Sequence, residues 1–113
     1  MKSKITSLSK NIEFKSLLNG KKISNKYSTI FFKKLSNKNV KKLNVSFVAK
    51  KKLGNAVVRN RIKRRLRNIM NEAIKKININ LNYSYLIIAK KMIFEDKYEK
   101  IKKIFFIDFK KIK

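Results

Sequence analysis

Cysteine, histidine, proline and tryptophan are all absent from this 113-residue chain, and glycine occurs only at Gly20 and Gly54. Without thiols there are no disulfides and no sulfur-ligated zinc, and without imidazoles the commonest general bases and metal ligands are gone. Acids are nearly as scarce: six Asp plus Glu face 32 Lys plus Arg, a formal charge of +26 at pH 7. Most catalytic arrangements are thereby excluded, and the expected partner is a polyanion. No apolar run approaches the roughly 20 residues of a membrane-spanning helix, because Lys, Asn or Asp interrupts each one. The basic start at Met1 to Lys10 carries no secretory apolar core, so a reducing cytoplasm and no membrane partner are expected.

Against these absences stand 43% apolar residues, with eight Phe and four Tyr. That is enough for a small core in a single domain spanning 1–113, with residues 1–10 as a flexible basic arm. Asn11 followed by Glu13 reads as a helix start and Gly20 as its stop, with Phe14, Leu17 and Leu18 on one face. Strands are expected from Lys26 to Lys34, which is β-branched and aromatic, and from Leu43 to Ala49, where Leu43, Val45, Phe47 and Ala49 alternate. The polar stretch from Leu35 to Lys42 suits a hairpin turn between them.

A long helix should begin at Ala56, capped by Asn55, since Val58, Ile62, Leu66, Ile69, Ala73 and Ile77 form one apolar stripe. The alternation from Ile77 to Tyr83 is interrupted by three Asn and is read as loop. Tyr83 to Ala89 is a strand. Glu95 to Phe109 is a closing helix with Tyr98, Ile101, Ile104 and Phe105 inward and Glu95, Asp96 and Glu99 near its positive dipole end.

Charge is distributed unevenly by type. All five arginines (Arg59, Arg61, Arg64, Arg65 and Arg67) fall within nine residues of the long helix, while lysines are spread elsewhere. At about 100° per residue, Asn60, Arg61, Lys63, Arg64 and Arg67 fan across the face opposite the apolar stripe, with Arg59 and Arg65 at its margins. A planar guanidinium fork grips phosphate bidentately and stacks on bases, which lysine does not. A solvated basic face is the bland alternative; the concentration of arginine favours recognition of nucleic acid. Lys50, Lys51 and Lys52 precede Gly54 and Asn55 at the helix N-terminus, where an anionic oxygen is also favoured.

The run from Lys51 to Arg67, KKLGNAVVRNRIKRRLR, closely resembles the signature of the bacterial ribonuclease P protein component. The likeness extends through Asn11 to Phe14, Leu43 to Ala49, Tyr85 to Lys90 and Tyr98-Glu99. It implies an α+β fold of the ribosomal protein S5 domain 2-like kind: a small two-layer sandwich of order αβββαβα, with a four-stranded sheet and an unusual left-handed crossover, where right-handed would be the default. The fourth strand is sought between Leu35 and Val45.

The resemblance further implies an accessory subunit of an endoribonuclease. Its RNA uses Mg2+ to remove the 5′ leader from precursor tRNA, with no protein catalytic residue, no metal or cofactor held stably by the protein, and no obligate protein partner. Carried over residue by residue, Lys51, Lys52, Gly54, Asn55, Arg59, Asn60, Arg61, Lys63, Arg64 and Arg67 should meet the catalytic RNA. Lys10, Phe14 and Phe31 should meet the leader, Phe31 standing where relatives often have Tyr. Leu18 stands where a second Phe is common, in a helix one residue shorter before Gly20, which argues against stacking there. On the residues alone, plain core is the favoured reading of Phe14 and Phe31, and a small basic ribosomal protein is the competing function.

Overall fold

The computed structural model describes residues 5–6, 11–34 and 42–112, with side chains from residue 15 onward. Five strands, β1 (Ile5–Thr6), β2 (Lys21–Ser24), β3 (Ser28–Lys33), β4 (Leu43–Val48) and β5 (Ser84–Ala89), form one mixed sheet of order β1-β4-β5-β3-β2. Three helices accompany it: α1 (Asn11–Leu18), α2 (Ala56–Lys76) and α3 (Tyr98–Lys111). The four longer strands give the expected α+β order, and β1 adds two residues at one edge, parallel to β4 through Ile5 opposite Leu43. Within the expected flexible arm, Ile5 and Thr6 are therefore paired.

Two expectations are corrected. The fourth longer strand is β2, which precedes β3; of the segment from Leu35 to Val45 where it is sought, 35–41 lie outside the described residues. β3 and β4 do not form a hairpin either, because β5 lies between them, antiparallel to β3 and parallel to β4. The true hairpin is β2–β3. Asn25 builds its turn, its side-chain oxygen accepting from the backbone N–H groups of Tyr27 and Ser28, both at 2.8 Å. β5 occupies the centre because its run Tyr85-Leu86-Ile87-Ile88 is apolar on both faces, as a strand covered on both sides requires. The parallel β4–β5 pair makes α2 the crossover connection.

One sheet face is closed by α2 and α3. Ile62, Leu66, Ile69, Met70 and Ala73 of α2 and Ile101, Phe105 and Phe109 of α3 are buried against Ile30, Phe32, Val45, Tyr85 and Ile87. The α2 stripe is the expected one, with Val58 and Ile77 partly buried at its ends. α3 begins at Tyr98, three residues later than expected, because Lys91–Phe94 forms a separate 3-10 turn. The segment after α2 is loop, and its alternating Ile79, Leu81 and Tyr83 pack on the core without pairing as a strand.

Among the described elements the opposite face carries α1, with Leu17 and Leu86 buried and Phe31, Val48 and Ile88 packed around them but partly exposed. Gly20 follows α1 where the chain passes close to β3: a Cβ there would stand 2.7 Å from the Phe32 carbonyl oxygen.

Candidate nucleic-acid interface

Asn55 caps α2 as expected, its side chain accepting from the Val58 N–H at 3.0 Å. Before it, Lys51–Leu53 forms a 3-10 turn ending at Gly54, whose φ of 148° and crowding against Val58 at 2.9 Å both demand glycine. Lys51 and Lys52 are exposed on that turn, and Asn60, Arg61, Lys63 and Arg64 are exposed along the outer face of α2.

The arginines are not equivalent. Arg65 turns inward at the margin and donates to the carbonyl oxygens of Ile93 (3.4 Å) and Asp96 (3.2 Å), with its guanidinium 5.5 Å from the centre of the Phe94 ring. Arg67, expected on the open face, is half-buried with its guanidinium 5.6 Å from the Phe47 ring. Arg59 is half-buried at the other margin, its Nε enclosed without a partner. Arg61 and Arg64 remain outward.

Every ion pair among the described residues is made by lysine: Lys26 and Lys100 with Asp96, Lys76 and Lys102 with Glu72, Lys102 with Glu99, and Lys111 with Asp108. The carboxylates take further bonds. Asp96 accepts from the Tyr27 hydroxyl at 2.6 Å, Glu72 from the Tyr98 hydroxyl at 2.6 Å, and Asp108 from the Asn25 amide at 2.7 Å. The Tyr27 bond, assisted by Lys26 and Lys100, holds Asp96 below its usual range; the same bond, then burial, raises the Tyr27 phenol to about 12. Burial first, then the bond to Glu72, pushes the Tyr98 phenol up. Of the acids expected at the α3 N-terminus, only Glu99 lies in its first turn. No three acids converge into a metal-binding group among the described residues.

Phe31 lies on the other sheet face, half-buried and opposite Leu86 in the register. Phe14 lies within α1, one turn before buried Leu17; Lys10 falls outside the described residues. Leu18 is 48% exposed, so Leu17 and not Leu18 anchors the helix. At one end of this face a pocket of about 410 Å3 is bounded by Thr29, Ile88, Lys50, Lys52, Lys90 and Lys91. Lys90 is held there by Ser24 Oγ at 2.6 Å and the Asn25 carbonyl at 2.7 Å. Sequence reasoning did not single out Lys90 and Lys91, because adjacent lysines recur throughout this chain. It also missed Phe47 and Phe94 as arginine partners.

A family model described as Ribonuclease P matches residues 2–113. The chain is 44% identical over 107 residues to the Ribonuclease P protein component of Fusobacterium nucleatum, covering 88% of this chain and 89% of that one. It is 32% identical over 106 residues to the same component of Mycoplasma capricolum, covering 94% of each. Among solved structures it resembles the RNase P protein from Thermotoga maritima, with a TM-score of 0.79 at 22% identity, covering 96% of this chain and 98% of that one. At that identity the structural likeness speaks for the fold alone.

Proposed function

This chain belongs to the ribonuclease P protein family, and from that membership we propose a division of its surface: α2 grips the catalytic RNA, and the face beside α1 holds the 5′ leader of precursor tRNA. The chain acts as a protein subunit of ribonuclease P and works with the RNase P RNA. Family membership decides against the ribosomal alternative that composition left open.

The observation that carries the first surface is the difference between the two cations. Lysines pair with Glu72, Asp96, Glu99 and Asp108, while the five arginines have no ion pair among the described residues. Their charge is left for an external anion, and the exposed forks of Arg61 and Arg64 suit RNA phosphates, with Lys51, Lys52 and Lys63 adding field. Arg59, Asn60 and Arg67 extend the contact, and Gly54 and Asn55 set the angle at which the loop enters α2.

For the second surface, Phe31 offers a partly exposed ring on which a leader base can stack, worth about 1 to 3 kcal/mol and indifferent to base identity. The family resemblance assigns Phe14 and Lys10 to the leader as well, and the lysines of the pocket beside Ile88 are suited to its phosphates. Bond cleavage is assigned to the RNA and its Mg2+ ions. Of the described carboxylates, Glu72, Asp96, Glu99 and Asp108 each serve a lysine. The setting is the cytoplasm.

Cleavage of precursor tRNA by the particle reconstituted with and without this chain, at near-physiological magnesium, tests the assignment. The chain should accelerate processing and cut nothing alone; cutting by the protein alone overturns it. Arg61→Ala should weaken assembly with the RNA, and Phe14→Ala should weaken substrate binding by the assembled particle. Equal effects of both variants on both measurements would defeat the two-surface division.

A further inference from the structure

Beside the outer face of α2 lies a groove of about 420 Å3, lined by Arg61, Arg64, Arg65, Asn68, Phe94 and Tyr98. The four α2 residues are spaced i, i+3, i+4 and i+7, so they share one helix face. The far wall is the 3-10 turn Lys91–Phe94 and the start of α3. This flank is distinct from the one where Arg67 meets Phe47.

The groove contains groups fixed by the fold and groups left over. Arg65 is fixed, bonded to the carbonyls of Ile93 and Asp96 and laid against Phe94. The Tyr98 hydroxyl is committed to Glu72. Phe94 is nevertheless 40% exposed, and it lies outside either helix on a short turn. Arg61 and Arg64 stand free of ion pairs among the described residues and are exposed, as is the Asn68 amide. An aromatic plate held by a guanidinium, two phosphate forks and a neutral donor-acceptor amide match, in order, the ring, the flanking phosphates and the edge of a nucleotide.

Resting on the reading of α2 as the RNA-gripping helix, we propose that this groove seats one unpaired nucleotide of the RNase P RNA, with its base on Phe94 and its phosphates on Arg61 and Arg64. A base inside an A-form helix does not offer its face to a ring, so the nucleotide is an unstacked one from a loop or bulge. The catalytic RNA is the source and the leader is not, because α2 covers the closed sheet face and Phe31 lies on the other.

The test is equilibrium binding of the full chain to refolded RNase P RNA across a salt series. Phe94→Leu keeps apolar cover over Arg65 but removes the π-face, and should weaken RNA binding about tenfold without changing the slope of log affinity against log salt. Phe94→Trp should bind at least as tightly as the parent. Binding of precursor tRNA by the fully assembled particle should be the same for all three. Phe94→Leu binding within about twofold of the parent, or weakening equally with Phe94→Trp, overturns the proposal, as does a loss confined to precursor tRNA. If Arg61→Ala weakens RNA binding and Phe94→Leu does not, the groove alone fails; if neither does, the reading of α2 fails with it.

Discussion

The two faces of the sheet are made from the same strands, one residue out of step, yet they are finished differently. Ile30 is fully buried beneath α2 and α3, while its neighbour Phe31 points the other way and stays partly exposed beside α1. The closed face holds Tyr85, Ile87, Phe105 and Phe109, with Tyr85 and Phe109 in edge contact at 5.2 Å. Among the described side chains, the face beside α1 has Leu17 and Leu86 as the buried members of its cluster. Since burial of apolar area is the main source of stability, the first face holds most of the described core, and the second is the one proposed to meet the leader.

The sharpest way to break this contrast is to remove equal rings from each side. Phe105→Ala deletes a fully buried side chain and should cost about 3 to 5 kcal/mol in urea denaturation, a large fraction of the stability of a small domain. Phe31→Ala should cost only about 1 kcal/mol of folding stability, but weaken precursor tRNA binding by the assembled particle about tenfold. Comparable denaturation midpoints for the two variants would show that both faces hold the fold equally.

Most of the closed face was readable in the sequence, because the stripe from Val58 to Ile77 keeps helical spacing over about five turns and Leu86-Ile87-Ile88 is apolar on both sides. β2 was not readable. Lys21-Lys22-Ile23-Ser24 contains one apolar residue, so its extended state comes from pairing with β3 at the sheet edge, where lysines are characteristic. The false hairpin has a related cause: a polar segment shows that the chain turns, but not which strand it rejoins. The arginine cluster was visible as such. Which members are committed to the fold was not, since the Arg65 acceptors lie 28 and 31 residues further along.

The smallest expected effect concerns the seam that closes the first face. The acids beyond residue 15 all fall on α2, on α3 or on the turn before it, so acidification should loosen that side. Glu72 of α2 is held below its usual value of 4.5, chiefly by the hydrogen bond from the Tyr98 hydroxyl and then by Lys102 and Lys76. A carboxylate whose folded pKa lies below its unfolded one binds fewer protons when folded. Its contribution is complete above pH 4.5 and drains away as pH falls through the folded value. Asp96, lowered from 3.8 chiefly by the bond from Tyr27, follows the same sign in a more acidic window. The melting temperature should therefore drop as pH is lowered through this range, and Glu72→Gln should make that drop shallower while leaving RNA affinity at neutral pH unchanged, because Glu72 ties α2 to α3 and not to a phosphate. A Glu72→Gln variant that melts with the parent's full acid dependence would show that the Tyr98–Glu72–Lys102 contact does not fasten the two helices.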